Sequence, residues 1–267
     1  MLVATGRRPY TDGLGLEAAG VAMERGGAEA ADAGDARHQA DHGAAEGVAA
    51  GGGDGAEGDA GREHRLGHVA SITHPGANIT GIFVRQPELA AKRVEFAHQA
   101  LSQVRRLALW GTPNYREQVD AAAGAARTLG LETVYVEMNG NPGQSYLPDF
   151  KITTDRGAAA IVLPASGQVR AGRAEICKLA LSHRIPLIAA ERELVEAGAL
   201  LSYGVRLDDA YREAANYIDR IARGERAGDL PLKQPTRFEL VLNLKTAKTL
   251  GVDLPPTLLS SADEVIE

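Results

Sequence analysis

Between residues 106 and 190 the chain alternates short apolar runs with longer amphipathic ones, and Gly or Pro punctuates the changes. Arg106 to Trp110 (RLALW) reads as a buried strand. Asn114 to Leu129 reads as a helix, with Asn114 a candidate cap and Gly130 its stop. Leu131 to Met138 alternates Val134, Val136 and Met138 and reads as a strand. Ala158 to Leu163 is a strand closed by Pro164, Arg170 to Arg184 a helix, and Pro186 to Ala190 a strand. Strand, helix, strand in this rhythm predicts α/β architecture, a parallel sheet covered by helices. Further on, Leu200 to Tyr203 and Phe238 to Leu242 read as strands, and Leu244 to Leu250 as a short helix. Leu207 to Arg223 reads as an amphipathic helix with Tyr211, Ala214, Ala215, Ile218 and Ile221 on one side.

The rhythm starts only near residue 67. Residues 27–66 hold 10 Gly and 12 Ala among 40 positions, with Val48 and Leu66 the only large apolar ones. Such a tract buries too little surface to offset roughly 1–2 kcal/mol of ordering per residue, so disorder is expected. It carries nine acids and three arginines. That −6 equals the formal charge of the whole 267-residue chain, so the remaining 227 residues balance at zero. No basic face is available for nucleic acid, and aromatics at 4% offer no stacking platform. One cysteine excludes an intramolecular disulfide.

Several motifs weaken on inspection. Gly53 to Gly58 fits G-x-G-x-x-G, but no strand precedes it and Asp54 and Glu57 would repel a pyrophosphate. His38 and His42 lie four apart, yet no third ligand on a fixed scaffold accompanies them. Cys177 sits among Ile176, Leu179 and Ala180 and reads as core. No catalytic constellation, cofactor site or metal site is expected.

In a parallel α/β sheet, ligands meet the loops past the strand C-termini. Three such loops carry short polar groups: Gly111 to Tyr115, Pro164 to Gln168, and Glu191 to Glu193. The last could hold an acid/base pair, or a charge cluster around Arg192.

The stretches GHVASITHPGANITGIF, PELAAKRVEF, RRLALWGTPN and EAGALLSYGVRLDDAYREAANYIDRIARGE resemble the ABC-transporter substrate-binding protein family, as does Asp229 to Glu267. The resemblance covers about residues 67–267. It implies a type I periplasmic-binding-protein fold: two α/β lobes, crossing hinge strands and a small solute in the cleft. It implies no catalysis, a membrane permease as partner, and a periplasmic or otherwise extracytoplasmic setting. Some relatives are similar to amino-acid binders. The second lobe is expected at about 84–202, with first-lobe pieces at 67–83 and 203–267. Asn78 to Gly81 and Leu201 to Gly204 would be hinge crossings. Asn114, Tyr115, Ser166, Gly167, Glu191, Arg192, Glu193 and Tyr203 are the expected ligand contacts.

The resemblance fails at the start. Residues 1–26 are instead similar to a stretch of dihydrolipoamide dehydrogenase, without its cysteine pair, so a flavin-dependent oxidoreductase is a remote alternative. A cytosolic α/β ligand sensor is another. A fusion or shifted reading frame would explain residues 1–66, leaving the first lobe truncated and solute binding impaired. No export signal is visible, so this chain as it stands would stay cytoplasmic. Apolar surface at Ile79, Ile82, Phe83 and the Leu207–Ile221 helix would then lie exposed and favour self-association.

Overall fold

The computed structural model describes residues 47–50, 70–76, 78–140 and 143–267. The flavoprotein-like stretch 1–26, the G-x-G-x-x-G match and the three histidines of the Gly/Ala tract lie outside the described residues.

A seven-stranded sheet dominates. Its strands are β3 (Arg106–Gly111), β4 (Glu132–Glu137), β5 (Ala160–Val162), β6 (Leu187–Ala189), β7 (Leu201–Val205), β8 (Phe238–Asn243) and β9 (Glu264–Ile266). They lie in the order β4-β3-β5-β6-β7-β8-β9, and only the β7–β8 pair is antiparallel. Alternation along each strand divides the core in two. Leu107 and Leu109 face one layer, with Val162, Ile188, Leu201 and Leu240. Ala108 and Trp110 face the other, with Ile161, Leu187, Ala189 and Val241. Both faces are buried, as a parallel sheet requires.

Helices cover both faces. On one lie α1 (Gln86–Ala100) and α2 (Arg116–Thr128). On the other lie α3 (Leu147–Asp155), α4 (Gly167–Ala171), α5 (Arg173–Ser182) and α6 (Arg192–Ala197). The long helix after β7 is α7 (Leu207–Ala222), and α8 (Leu244–Leu250) and α9 (Pro256–Ser261) follow β8. The side chain of Asn243 caps α8 by accepting from Thr246 N at 2.9 Å, and Gly251 ends it at φ +70°, where a side chain would strain the backbone.

The local readings differ from the structure in specific places. Asn114 is no cap; it lies in a 3-10 turn, Pro113–Tyr115, that leads into α2. The helix expected over Arg170 to Arg184 begins earlier, at Gly167, and divides at Gly172. A β-carbon on Gly172 would meet the buried Tyr146 hydroxyl at 2.4 Å, so a tertiary contact holds this position to glycine. Cys177 is core as read: it is fully buried, donates to Leu194 O at 3.4 Å, and burial pushes its thiol up to about 12.

A second, small sheet pairs β1 (Gly47–Ala50) in parallel with β2 (Ile79–Ile82). β1 comes from the tract read as disordered. A ladder is built from backbone groups, so apolar side chains are no condition for pairing. Lys233 bridges Ile82 on the other edge, with Phe83 N bonded to Lys233 O and Lys233 N to Gly81 O, both at 2.9 Å. These partners bury Ile82 and Phe83, which the sequence reading left exposed. α7 packs on β1 and β2, and Ala214 and Tyr217 are its buried residues.

The expected lobe boundary at 202/203 also shifts. β7, β8, α8, α9 and β9 belong to the large sheet, because β8 pairs with β7 along its whole length. The chain leaves the small sheet after Ile82, comes back beside it after Val205 as α7 and the Lys233 bridge, and returns to the large sheet through 234–237.

Candidate functional site

β3 connects to β4 on one side, and β5 lies on its other side. The strand order therefore reverses between β3 and β5. At such a switch point the two following loops diverge and leave a crevice outside the strand C-termini. Those loops hold four of the expected contacts, Asn114 and Tyr115 after β3, and Ser166 and Gly167 after β5. Asn114 is exposed and Tyr115 buried. Ser166 is buried, and its hydroxyl caps α4 by accepting from Val169 N at 3.1 Å. That bond uses an oxygen lone pair and not the hydroxyl proton.

Beneath these loops lie two side chains with no signal in the sequence. Gln118 of α2 reaches across the switch point: its amide oxygen accepts from Ala165 N at 3.0 Å and its nitrogen donates to Ala165 O at 3.3 Å. Arg93 of α1 is fully buried, donating to Gln118 Oε1 at 3.3 Å and to Tyr203 O at 3.4 Å. In sequence Arg93 looks like any charge on an amphipathic helix. Only the packing of α1 against β7 makes it an interior cation.

Glu191 follows β6 at the same edge. Its carboxylate lies 3.5 Å from Arg170 Nη1 of α4, with the two side chains 13% and 24% exposed. Burial pushes the Glu191 carboxyl up to about 6; Arg170 and Arg93 pull it down and Glu193 pushes it up. The structure thus brings Ser166, Gly167 and Glu191 to one edge, linked by Arg170.

Arg192, Glu193 and Tyr203 lie farther along the sheet. Arg192 donates to Glu196 at 3.1 Å, Glu239 at 3.4 Å and Glu264 at 2.8 Å, clamping β8 and β9 to α6. Glu193 lines a cavity of about 40 Å³ with Arg206 and Glu239. The Tyr203 ring packs on Phe96 at 5.0 Å and Phe238 at 6.2 Å between ring centres, which makes it an aromatic contact of the sheet.

The crossings carry their own electrostatics. Arg206 lies 3.7 Å from Glu239 of the large sheet and 4.0 Å from Asp209 of α7. It therefore sits between partners in the two parts of the fold. Beside it opens a cavity of about 310 Å³ lined by Ile82, Asp209, Glu213, Lys233, Pro235 and Arg237. Its charges oppose each other in pairs, Glu213 with Lys233 and Asp209 with Arg237.

Among the described residues no group of three or more His, Cys, Asp or Glu could hold a metal ion. None of the described helices is long and apolar enough to cross a membrane. The arrangement places hydrogen-bond donors, one largely buried carboxylate and two guanidinium groups at the strand C-termini. It suits binding of a small polar molecule.

The chain is 26% identical over 189 residues to a tyrosine-binding protein of Clostridioides difficile, covering 70% of this chain and 53% of the relative. It thus spans about half the length of that curated protein. Among solved structures, a domain in complex with L-Trp from Streptococcus pneumonia has a TM-score of 0.68 at 22% identity, covering 76% of this chain and 70% of that one. A ligand-free, open substrate binding protein with adhesive properties from Clostridium difficile has a TM-score of 0.55 at 23% identity, covering 76% and 68%. These two likenesses establish the fold, that of type I periplasmic binding proteins. A family model described as ABC transporter substrate binding protein matches residues 66–266, three quarters of the chain, and the chain belongs to that family, whose members bind substrates and are not enzymes.

Proposed function

We propose that this protein binds a small zwitterionic solute, an α-amino acid, in the crevice at the β3/β5 switch point. The observation that carries the proposal is the Glu191–Arg170 pair at 3.5 Å, placed at the strand C-termini beside the Ser166 cap. A largely buried carboxylate next to a guanidinium matches the ammonium and carboxylate of an amino acid. Asn114, Tyr115 and Gly167 complete the second-lobe wall. The tyrosine-binding relative and the L-Trp complex support an aromatic side chain on the ligand.

As in the family, closure would be a hinge motion about the crossings after Ile82, after Val205 and at 234–237. The closed form would be presented to an ABC permease on the extracytoplasmic side of the membrane. The described first-lobe wall consists of β1, β2, the Lys233 segment and α7.

Isothermal calorimetry of the chain with L-tyrosine, L-tryptophan and their decarboxylated amines tests the reading. Heat with the amino acids and none with the amines is expected, and equal binding of both overturns it.

A further inference from the structure

α7 buries Ala214 and Tyr217 but leaves an apolar stripe on its flank. Tyr211 is 52% exposed and Ile218 49% exposed, and Ala215 and Ala222 are exposed beside them. Positions 211, 215, 218 and 222 step by four, three and four, so they form one continuous line along the helix. Glu213, on the other flank, pairs with Lys233. The stripe therefore lies on the side of α7 away from Lys233.

The charges along its outer rim are ordered. They run Asp208, Arg212, Asp219, Arg223: acid, base, acid, base. An antiparallel pairing of two such helices about a two-fold axis near Ala215 sets position 208 opposite 223 and position 212 opposite 219. Every rim acid then faces a rim base. A parallel pairing would set like against like at each position. The antiparallel pairing also sets the two helix dipoles head to tail.

We propose that the exposed flank of α7 is a self-association surface, and that its occupant is α7 of a second copy of this chain. Tyr211, Ala215, Ile218 and Ala222 form the apolar centre. Asp208 with Arg223, and Arg212 with Asp219, form the rim across the two-fold. Such a symmetric contact is isologous, each residue serving twice. Arg212 already donates to Asp209 at 2.7 Å and Arg223 lies 3.0 Å from Asp219 in the same helix. Pairing would extend these into four-charge clusters. One helix pair is a small interface, so a dissociation constant on the order of tens of micromolar is expected.

The test is sedimentation equilibrium of the full chain across a concentration series at low and moderate salt. The wild type is expected to dimerise, more weakly as salt rises. Ile218→Glu should abolish the dimer. Arg212→Asp alone and Asp219→Arg alone should each weaken it about tenfold, because each repeats twice across the axis. The double variant Arg212→Asp/Asp219→Arg restores the complementarity and should recover dimerisation. A monomeric wild type throughout overturns the proposal, as it would if another part of the chain covers the flank. Dimers indifferent to the single charge reversals, or a double variant no tighter than the singles, overturn it equally.

Discussion

The carbonyl oxygen of Ala190 lies 1.9 Å from the point where a β-carbon on Gly204 would stand. No side chain fits there unless the end of β6 and strand β7 move apart. The close approach is steric, and it lies beside Glu191 at the crevice edge. Gly204→Ala is expected to cost about 3 kcal/mol, the upper range for forcing extra volume into a packed interior. Urea denaturation measures it. A loss under about 1 kcal/mol would show that the two strands separate easily.

Thr153 joins two buried groups. Its hydroxyl accepts from the Trp110 indole at 2.9 Å and donates to Asp149 O at 2.9 Å. Thr153→Val keeps the shape and removes both bonds, leaving the indole N–H unsatisfied in the core. A destabilisation of about 1–3 kcal/mol is expected. Trp110 is the only tryptophan, so its fluorescence reports the unfolding directly.

Ser166 separates folding from binding. Ser166→Ala removes the α4 cap and should lower stability by about 1 kcal/mol. Ser166→Asp keeps a capping acceptor and should restore that stability. It also places a second carboxylate near Glu191, so it should weaken binding of a ligand that bears a carboxylate. Thermal melts read the first effect and calorimetric titration the second. Equal affinity in the two variants would place Ser166 outside the ligand's reach.

Glu191 predicts opposite pH trends for stability and for binding. Its carboxyl is pushed up to about 6 in the folded protein from an ordinary 4.5. The folded state therefore holds the proton more tightly than the unfolded state. The contribution is present below about pH 4.5 and is lost as pH rises through about 6, worth roughly 2 kcal/mol. Ammonium binding needs the carboxylate, so affinity should rise over the same window. Glu191→Gln is expected to flatten both profiles. A wild-type affinity independent of pH between 4.5 and 7 would remove Glu191 from the site.

Much of this protein was set by local pattern. The punctuation of apolar runs located β3 to β8 within a few residues, because strand burial and helix amphipathicity are written at short range. It also placed the loops at 111–115, 164–168 and 191–193. Tertiary structure alone decided which of those loops meet. Ser166 and Glu191 come together because β5 and β6 are neighbours in the sheet, and Arg170 links them because α4 starts at Gly167. Arg192 lies next to Glu191 in sequence yet serves β8 and β9, since successive side chains around a helix turn by about 100°. Arg93 and Gln118 were invisible for the same reason: a charge or amide on an amphipathic helix reads as solvated until its neighbours are known. The return of β8 and β9 to the large sheet was equally hidden. Strand pairing between residues far apart in the chain is decided by which edge remains open after the local elements have formed, and no short window of sequence holds that information.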